Sequence, residues 1–125
     1  MTLLVVDDAE WLGITLEIAL PGATVALAKD GQHAWSLLER QTVAAIVTDL
    51  HMPGMDGFRL IERVRSNAAT ATIPIVVVSA DSSVDAQERA ERLGANAYFV
   101  KPCSPSAVRG RLEELLDANL LRDSD

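Results

Sequence analysis

The sequence predicts an α/β fold in which helices cover both faces of a doubly wound parallel sheet. Short runs of branched apolar residues alternate along the chain with segments whose apolar residues recur at helical spacing. Continuous apolar runs of this length are typical of strands that are buried on both faces, as in parallel sheets. The length of 125 residues fits one compact domain, and we therefore expect residues 1–125 to form a single unit.

Five runs are predicted as strands, at residues 3–6, 24–28, 44–48, 75–78 and 97–100, and the second is the weakest. Four apolar stripes with helical spacing accompany them. They comprise Trp11, Ile14 and Ile18; Ala34, Leu37 and Leu38; Phe58, Ile61 and Val64; and Val108, Leu112, Leu115 and Leu116. A further helix, over residues 83–93, has a thin inward stripe of Ala86, Ala90 and Leu93. Such a stripe favours equally a helix that moves at modest cost and one that packs closely through small residues.

Turn and cap residues separate these elements. Pro21-Gly22 is expected to end the first helix. Gly94 stands where the helix over residues 83–93 needs a C-terminal cap. Ser104-Pro105 supplies an N-cap and a first-turn proline for the last helix.

Charge and composition exclude several classes of function. The net charge is −7, with 18 acidic and 11 basic residues and no basic stripe, so direct nucleic-acid binding is not expected. Cys103 is the only cysteine, which rules out an intramolecular disulfide and indicates a reducing compartment. The N-terminus does not resemble a signal peptide, and no apolar run approaches the roughly 20 residues of a membrane helix. We therefore expect a soluble, cytoplasmic protein without membrane contact.

Polar residues follow four of the predicted strands, at the point where each strand ends. Asp7-Asp8 follow the first strand, Asp49 the third, Ser79 the fourth and Lys101 the fifth. Ligands of doubly wound sheets bind at the carboxyl ends of the strands, so these side chains are expected to converge there. Each has an ordinary explanation when taken alone, such as a helix cap or a solvated lysine. Their joint placement favours a functional site, because unpaired charges are costly to bury.

The chemistry of this group indicates phosphoryl transfer. Three carboxylates held together raise one another's pKa values, and a divalent cation relieves the repulsion. Ligands that are all oxygen favour Mg²⁺, which keeps several of its waters. Lys101 and backbone amides after the third strand can neutralise phosphoryl oxygens, which is the main requirement of this reaction. A carboxylate is a competent nucleophile, and its product is an aspartyl phosphate.

Four segments together resemble the response-regulator receiver family of two-component signalling. They are Val5-Val6-Asp7-Asp8, the segment from Asp49 to Gly57, Val78-Ser79-Ala80, and Tyr98-Phe99-Val100-Lys101-Pro102. They occur in order, each at or after a predicted strand, and the resemblance extends over essentially the whole chain. It implies the flavodoxin-like form of the α/β fold, with five parallel strands in the order 2-1-3-4-5 and five helices.

The resemblance implies a metal site and a phosphoacceptor. Asp49 is implied to accept the phosphoryl group and to bind Mg²⁺. Asp8 is implied to bind the metal directly, and Asp7 through water or as a supporting carboxylate. The backbone carbonyl of His51 is implied to be the third protein ligand.

The resemblance also implies the residues that respond to phosphorylation. Ser79, where threonine is more frequent in the family, would bond the phosphoryl group and draw its loop inward, and Tyr98 would then rotate inward. Lys101 would pair with Asp49 and then with the phosphoryl group, and its peptide bond to the next proline would be cis. The side chain of His51 is expected at the mouth of the site and is a candidate for tuning the lifetime of the phosphoryl group. Asp81, two residues beyond Ser79, is another candidate for the same role.

The function implied is a signalling switch with self-catalysed phosphoryl transfer and autodephosphorylation, and no other enzymatic activity. Its partners would be a histidine kinase or histidine phosphotransfer protein and a downstream protein or output domain. The fourth and fifth predicted helices, with the strand between them, would form the partner surface and can also form a homodimer. One alternative is a degenerate receiver that binds partners without phosphorylation. Another is a small-molecule phosphatase with Asp49 as nucleophile, but such enzymes need a second acid where His51 stands.

Several remaining residues are expected to have structural roles only. Met52 and Met55 should pack within their loop, and Trp35 should lie in the core. Cys103 is expected to be a small buried residue without a redox role.

Overall fold

The computed structural model describes residues 1–7, 16 and 20–123 of the chain. The strands are β1 (Thr2–Val6), β2 (Thr24–Ala28), β3 (Ala45–Thr48), β4 (Ile75–Ser79) and β5 (Ala97–Val100). The helices among the described residues are α1 (Gly31–Arg40), α2 (Gly57–Ser66), α3 (Val84–Leu93) and α4 (Pro105–Asp123). These correspond to the second to fifth predicted helices. The first predicted helix, with its stripe of Trp11, Ile14 and Ile18, lies outside the described residues.

The five strands form one sheet in the order β2-β1-β3-β4-β5, and every neighbouring pair is parallel. This confirms the predicted flavodoxin-like α/β fold. The strands also end at matching levels. Val6 is paired with Ala28 on one side and with Thr48 on the other, and Ser79 is paired with Val100. The residues that follow these strands therefore share one edge of the sheet.

Two clusters of buried apolar side chains cover the two faces of the sheet. Successive residues of β1 point to opposite faces, so that Leu4 and Val6 join one cluster while Leu3 and Val5 join the other. Helices α1, α2 and α3 pack on the first face. Helix α4 packs on the second face, together with Leu16. Burial on both faces explains why β1, β3 and β4 are continuous apolar runs rather than alternating ones.

Helix α3 is held mainly by two small residues and by its ends. Ala86 and Ala90 are its buried positions, as the thin stripe predicts. Ser83 caps the N-terminus, where its hydroxyl accepts a hydrogen bond from the backbone N–H of Ala86 at 3.2 Å. Gly94 ends the helix with φ of 119°, in the left-handed region, and the predicted C-cap is confirmed.

The residues expected to have structural roles are mostly found in packed positions. Trp35 is buried in the first core cluster, and the guanidinium of Arg63 lies over its ring at 4.3 Å. Met52 and Met55 pack against the same cluster while partly buried. Cys103 is only half-buried, beside the second cluster. No helix in the part of the chain that the structure describes has the length and apolar character needed to cross a membrane.

Candidate functional site

Asp49 stands directly after β3, and both of its carboxylate oxygens accept hydrogen bonds. Its Oδ1 accepts from the backbone N–H of Leu50 at 2.6 Å. Its Oδ2 accepts from the ammonium of Lys101 at 3.2 Å. The backbone N–H of Asp49 continues the sheet pattern by donating to the carbonyl of Val6 at 3.0 Å. The side chain is 17% exposed, so the carboxylate is fixed in position and still open to a small reactant.

Lys101 connects two carboxylates across the sheet edge. Its Nζ donates to Oδ2 of Asp7 at 2.6 Å as well as to Asp49. Burial alone would lower the pKa of Lys101, but its hydrogen bond with Asp7 and its interactions with Asp49 outweigh that effect and raise it. The lysine therefore carries its charge at neutral pH. The peptide bond from Lys101 to Pro102 is cis, as the resemblance implies.

Ser79 and Tyr98 meet at the backbone of Asp81. Ser79 is buried at the end of β4, and its hydroxyl accepts from the backbone N–H of Asp81 at 3.2 Å. The hydroxyl of Tyr98 donates to the carbonyl of Asp81 at 2.5 Å. Burial raises the pKa of Tyr98, so its hydroxyl keeps the proton that this bond requires. One residue of the loop after β4 is therefore held from both sides.

His51 and Asp81 form a hydrogen-bonded pair between the loop after β3 and the loop after β4. Nε2 of His51 lies 2.8 Å from Oδ2 of Asp81. The hydroxyl of Ser83, the ring of His51 and the backbone N–H of Ser83 lower the pKa of Asp81 to about 2. Because Asp81 is then ionised at neutral pH, Nε2 of His51 must carry the proton in this contact.

The ring of His51 also rests on an aromatic side chain of α2. It meets the Phe58 ring edge-on, with 6.3 Å between the ring centres and 75° between the planes. The guanidinium of Arg89, on α3, lies over the same Phe58 ring at 4.1 Å. Sequence reasoning identified Phe58 only as a core residue and gave Arg89 no role in the site.

Gly57 was identified from the sequence only as the end of a motif, and the structure shows its packing role. A Cβ atom at this position would lie 2.1 Å from the carbonyl oxygen of Asp49. The backbone N–H of Gly57 donates to the carbonyl of Leu50 at 2.8 Å. The start of α2 is therefore packed directly on the backbone of Asp49, and the glycine permits this approach.

The donor set at this edge consists of oxygen atoms. The carboxylates of Asp7 and Asp49 both contact the ammonium group of Lys101. The backbone carbonyl of His51 lies in the loop that begins with Asp49. Within residues 1–7, 16 and 20–123, no three His, Cys, Asp or Glu side chains are grouped closely enough to hold a metal ion. Asp8, the carboxylate expected to bind Mg²⁺ directly, lies outside the described residues. The oxygen donors that are described fit the preference of Mg²⁺, with few protein ligands and room for water.

The sequence-predicted residues thus fall into two contacting sets. Asp7, Asp49 and Lys101 form one, joined by the lysine ammonium. Ser79, Tyr98, His51 and Asp81 form the other, joined at Asp81. Chemically, the first set can hold an anion at a nucleophilic carboxylate, and the second can sense a change at Ser79.

Comparison with known proteins shows similarity to one protein family. A sequence profile described as response regulator receiver domain matches residues 3–113. Over 120 residues the chain is 32% identical to a chemotaxis protein CheY homolog of Campylobacter jejuni, and the match covers 93% of this chain and 92% of that protein.

Solved structures of similar fold agree with this. The chemotaxis response regulator CheY4 of Vibrio cholerae superposes with a TM-score of 0.81 at 27% identity, covering 91% of this chain and 97% of that one. The Mn²⁺-bound form of the response regulator Rcp1 has the same fold, with a TM-score of 0.73 at 20% identity and coverage of 91% and 90%.

Proposed function

This chain belongs to the response regulator receiver family of two-component signalling, and on that basis we propose that Asp49 accepts a phosphoryl group. The donor would be a histidine kinase or a histidine phosphotransfer protein, and residues 1–125 would act as one receiver domain. The observation that carries the proposal is the contact of Lys101 with both Asp49 and Asp7, at 3.2 and 2.6 Å. It supports the proposal because the Asp49 carboxylate lies beside a positive charge at the carboxyl end of the strands, where a phosphoryl group would need to be neutralised.

The proposed reaction is a single displacement at phosphorus. A carboxylate oxygen of Asp49 attacks the phosphorus of a phosphohistidine, and the bond from phosphorus to the imidazole nitrogen breaks. The electron pair of that bond stays on the nitrogen, which takes up a proton. The ammonium of Lys101 then binds a phosphoryl oxygen in addition to Asp49. Its positive charge neutralises the negative charge that develops on the phosphoryl oxygens during transfer.

Mg²⁺ is the metal proposed for this site. Asp7, Asp49, the backbone carbonyl of His51 and Asp8 would hold it, and the bound ion would neutralise phosphoryl oxygens. The Mn²⁺-bound form of Rcp1 shows that a protein of this fold can bind a divalent ion.

The proposed switch passes through the backbone of Asp81. When the Ser79 hydroxyl turns to a phosphoryl oxygen, it gives up the hydrogen bond from the Asp81 N–H. The carbonyl of Asp81, which holds the Tyr98 hydroxyl, then moves with its loop. Tyr98 is partly buried against the first core cluster and also lines a cavity of 210 Å³ between α3 and β5. The surface of α3, β5 and α4 would change for a downstream protein, an output domain or a second copy of the chain.

The pair of His51 and Asp81 is proposed to set the lifetime of the phosphoryl group. It joins the loop after β3, which begins with Asp49, to the loop after β4, which follows Ser79. A closed pair restricts the approach of water to the phosphoryl group, and an open pair admits it.

The test is modification of the protein by acetyl phosphate in the presence of Mg²⁺, followed by intact mass measurement. The wild type is expected to gain one phosphoryl group, and Asp49→Asn to gain none. Asp56→Asn is a matched control, because its carboxylate lies in the following loop and caps α2 by accepting from the Arg59 N–H at 2.9 Å. Modification that persists in Asp49→Asn overturns the proposal.

Two other results would favour the alternatives. An unmodified wild type that still binds a partner would favour a module that works without phosphorylation. Sustained release of inorganic phosphate over many turnovers would favour a phosphatase.

A further inference from the structure

Two residues outside the phosphoacceptor site make contacts that converge on His51. The ring of Phe58 stands edge-on to the imidazole, with 6.3 Å between the centres. The Arg89 guanidinium lies over the Phe58 ring at 4.1 Å. A continuous contact therefore runs from α3 through the first turn of α2 to the mouth of the site.

The burial of these side chains differs in an informative way. Phe58 is 5% exposed and belongs to the first core cluster. Arg89 and His51 are both exposed, so neither is held by burial. Fixing an exposed imidazole in one rotamer costs conformational entropy. Contacts on more than one side are therefore needed to offset that cost. Asp81 supplies a contact at Nε2, and the ring of Phe58 supplies the other.

The charges support the same arrangement. The face of an aromatic ring is negative and its edge is positive, so the ring face attracts the guanidinium. Arg89 has no carboxylate partner within 4 Å among the described ion pairs, so its charge is directed at the ring. By fixing the tilt of Phe58, the guanidinium also fixes the surface on which His51 rests.

We propose that Phe58 and Arg89 are positioning residues that hold His51 against Asp81, so that an exposed arginine of α3 influences the lifetime of the phosphoryl group. The lifetime part of this inference rests on the proposed function of Asp49. The positioning part does not, because it concerns the unphosphorylated protein.

The positioning is tested first by NMR of the two histidines, His33 and His51. The Phe58 ring current shifts the imidazole protons of His51, and His33 is an internal reference. In Arg89→Met, the His51 imidazole signals should move toward those of an unstructured histidine while the His33 signals stay fixed. Arg89→Lys should restore part of the shift, because it keeps a cation. Arg92→Met, an exposed position on the same helix, should leave both histidines unchanged. Unchanged His51 signals in Arg89→Met overturn the proposal.

The lifetime is tested by the decay of the phosphorylated protein after excess acetyl phosphate is removed. Arg89→Met should speed decay by about two- to fivefold, the range that an exposed cation–π contact supports. In a His51→Ala background the same substitution should have no further effect, because the residue it positions is gone. An equal acceleration in both backgrounds overturns the positioning role. If no phosphoryl group forms at all, the proposed function fails, while the NMR shifts still decide the positioning.

Discussion

A Cβ atom on Gly57 would lie 2.1 Å from the carbonyl oxygen of Asp49. The same added atom would be 2.8 Å from the Cα of Leu50. Both neighbours are backbone atoms of the segment that carries Asp49, so neither can move aside without moving the site. The first residue of α2 therefore sets how closely that helix approaches the end of β3.

Gly57→Ala is expected to destabilise the protein and to disturb the site together. Relief of the clash requires a backbone shift, and overpacking of this kind typically costs about 2–3 kcal/mol. Urea denaturation measures the loss, and acetyl phosphate labelling of Asp49 should be slower in the same variant.

Gly110→Ala is the matched control for that substitution. Gly110 lies in α4, and an added Cβ would meet no atom within 4 Å. Replacement of glycine by alanine in a helix should then stabilise the protein by about 0.5–1 kcal/mol. Equal effects at the two glycines would contradict the role assigned to Gly57.

The close approach at Gly57 marks a limit of what the sequence could predict. The pattern Asp49 to Gly57 identified the loop, but only the packing of α2 on β3 shows why the last residue must be glycine. The strand ends were predictable because parallel strands read as continuous apolar runs and their ends share an edge. The convergence of Asp7, Asp49 and Lys101 was therefore predictable from their positions at the ends of the predicted strands.

Contacts between loops were less predictable. His51 and Asp81 are 30 residues apart, and each was singled out separately as a candidate for tuning the lifetime of the phosphoryl group. Their pairing depends on the course of two loops, which apolar periodicity does not describe. Arg89 lies on α3, the helix with the thinnest apolar stripe. The sequence indicated only that Arg89 is a charged residue on an exposed helix face, which does not predict its contact with Phe58.

Arg65→Met is expected to lower stability more than substitution of an exposed arginine, because Arg65 is half-buried. Its guanidinium donates to the carbonyls of Ala71, Ile73 and Gly94 and to Oδ1 of Asn96, over distances of 2.6–3.1 Å. Methionine keeps the apolar stem and removes every donor. Unpaired, partly buried acceptors should cost about 2–3 kcal/mol in urea denaturation.

Arg92→Met is the control for Arg65→Met, because Arg92 is exposed in the last turn of α3. A surface change of this kind should stay within about 0.5 kcal/mol. A similar loss in both variants would show that the carbonyl contacts of Arg65 contribute little.

Cys103 is expected to react slowly with iodoacetamide at neutral pH. Burial raises the pKa of its thiol, and the charge of Lys101 opposes that shift. Only the thiolate reacts, so a raised pKa lowers the reactive fraction at any given pH below it. Alkylation followed by intact mass should rise with pH through a midpoint above that of the urea-unfolded chain, which has the same single cysteine. In Lys101→Met the midpoint should move higher still, and a midpoint that moves lower would contradict the predicted sign.

Lys101→Met should separate metal binding from phosphoryl transfer. The ammonium now neutralises Asp7 and Asp49, and a bound Mg²⁺ would share those carboxylates with it. Without the competing charge, Mg²⁺ should bind several-fold more tightly in a calorimetric titration. Labelling by acetyl phosphate should slow at least about tenfold, because a group that stabilises the transferring phosphoryl is lost. Weaker Mg²⁺ binding in the variant would be inconsistent with this arrangement.

His51→Asn is expected to shorten the lifetime of the phosphoryl group without preventing its formation. The substitution removes the ring that pairs with Asp81 at 2.8 Å and leaves Asp49, Lys101 and the carbonyl at position 51 in place. Initial labelling by acetyl phosphate with Mg²⁺ should therefore proceed, while decay after removal of the donor should be faster. Asp81→Asn should have a similar effect, because it removes the charge at the other end of the pair. The double variant should decay no faster than the faster single variant, since both changes open one contact. Decay rates equal to wild type in both single variants would remove the pair from any role in the lifetime.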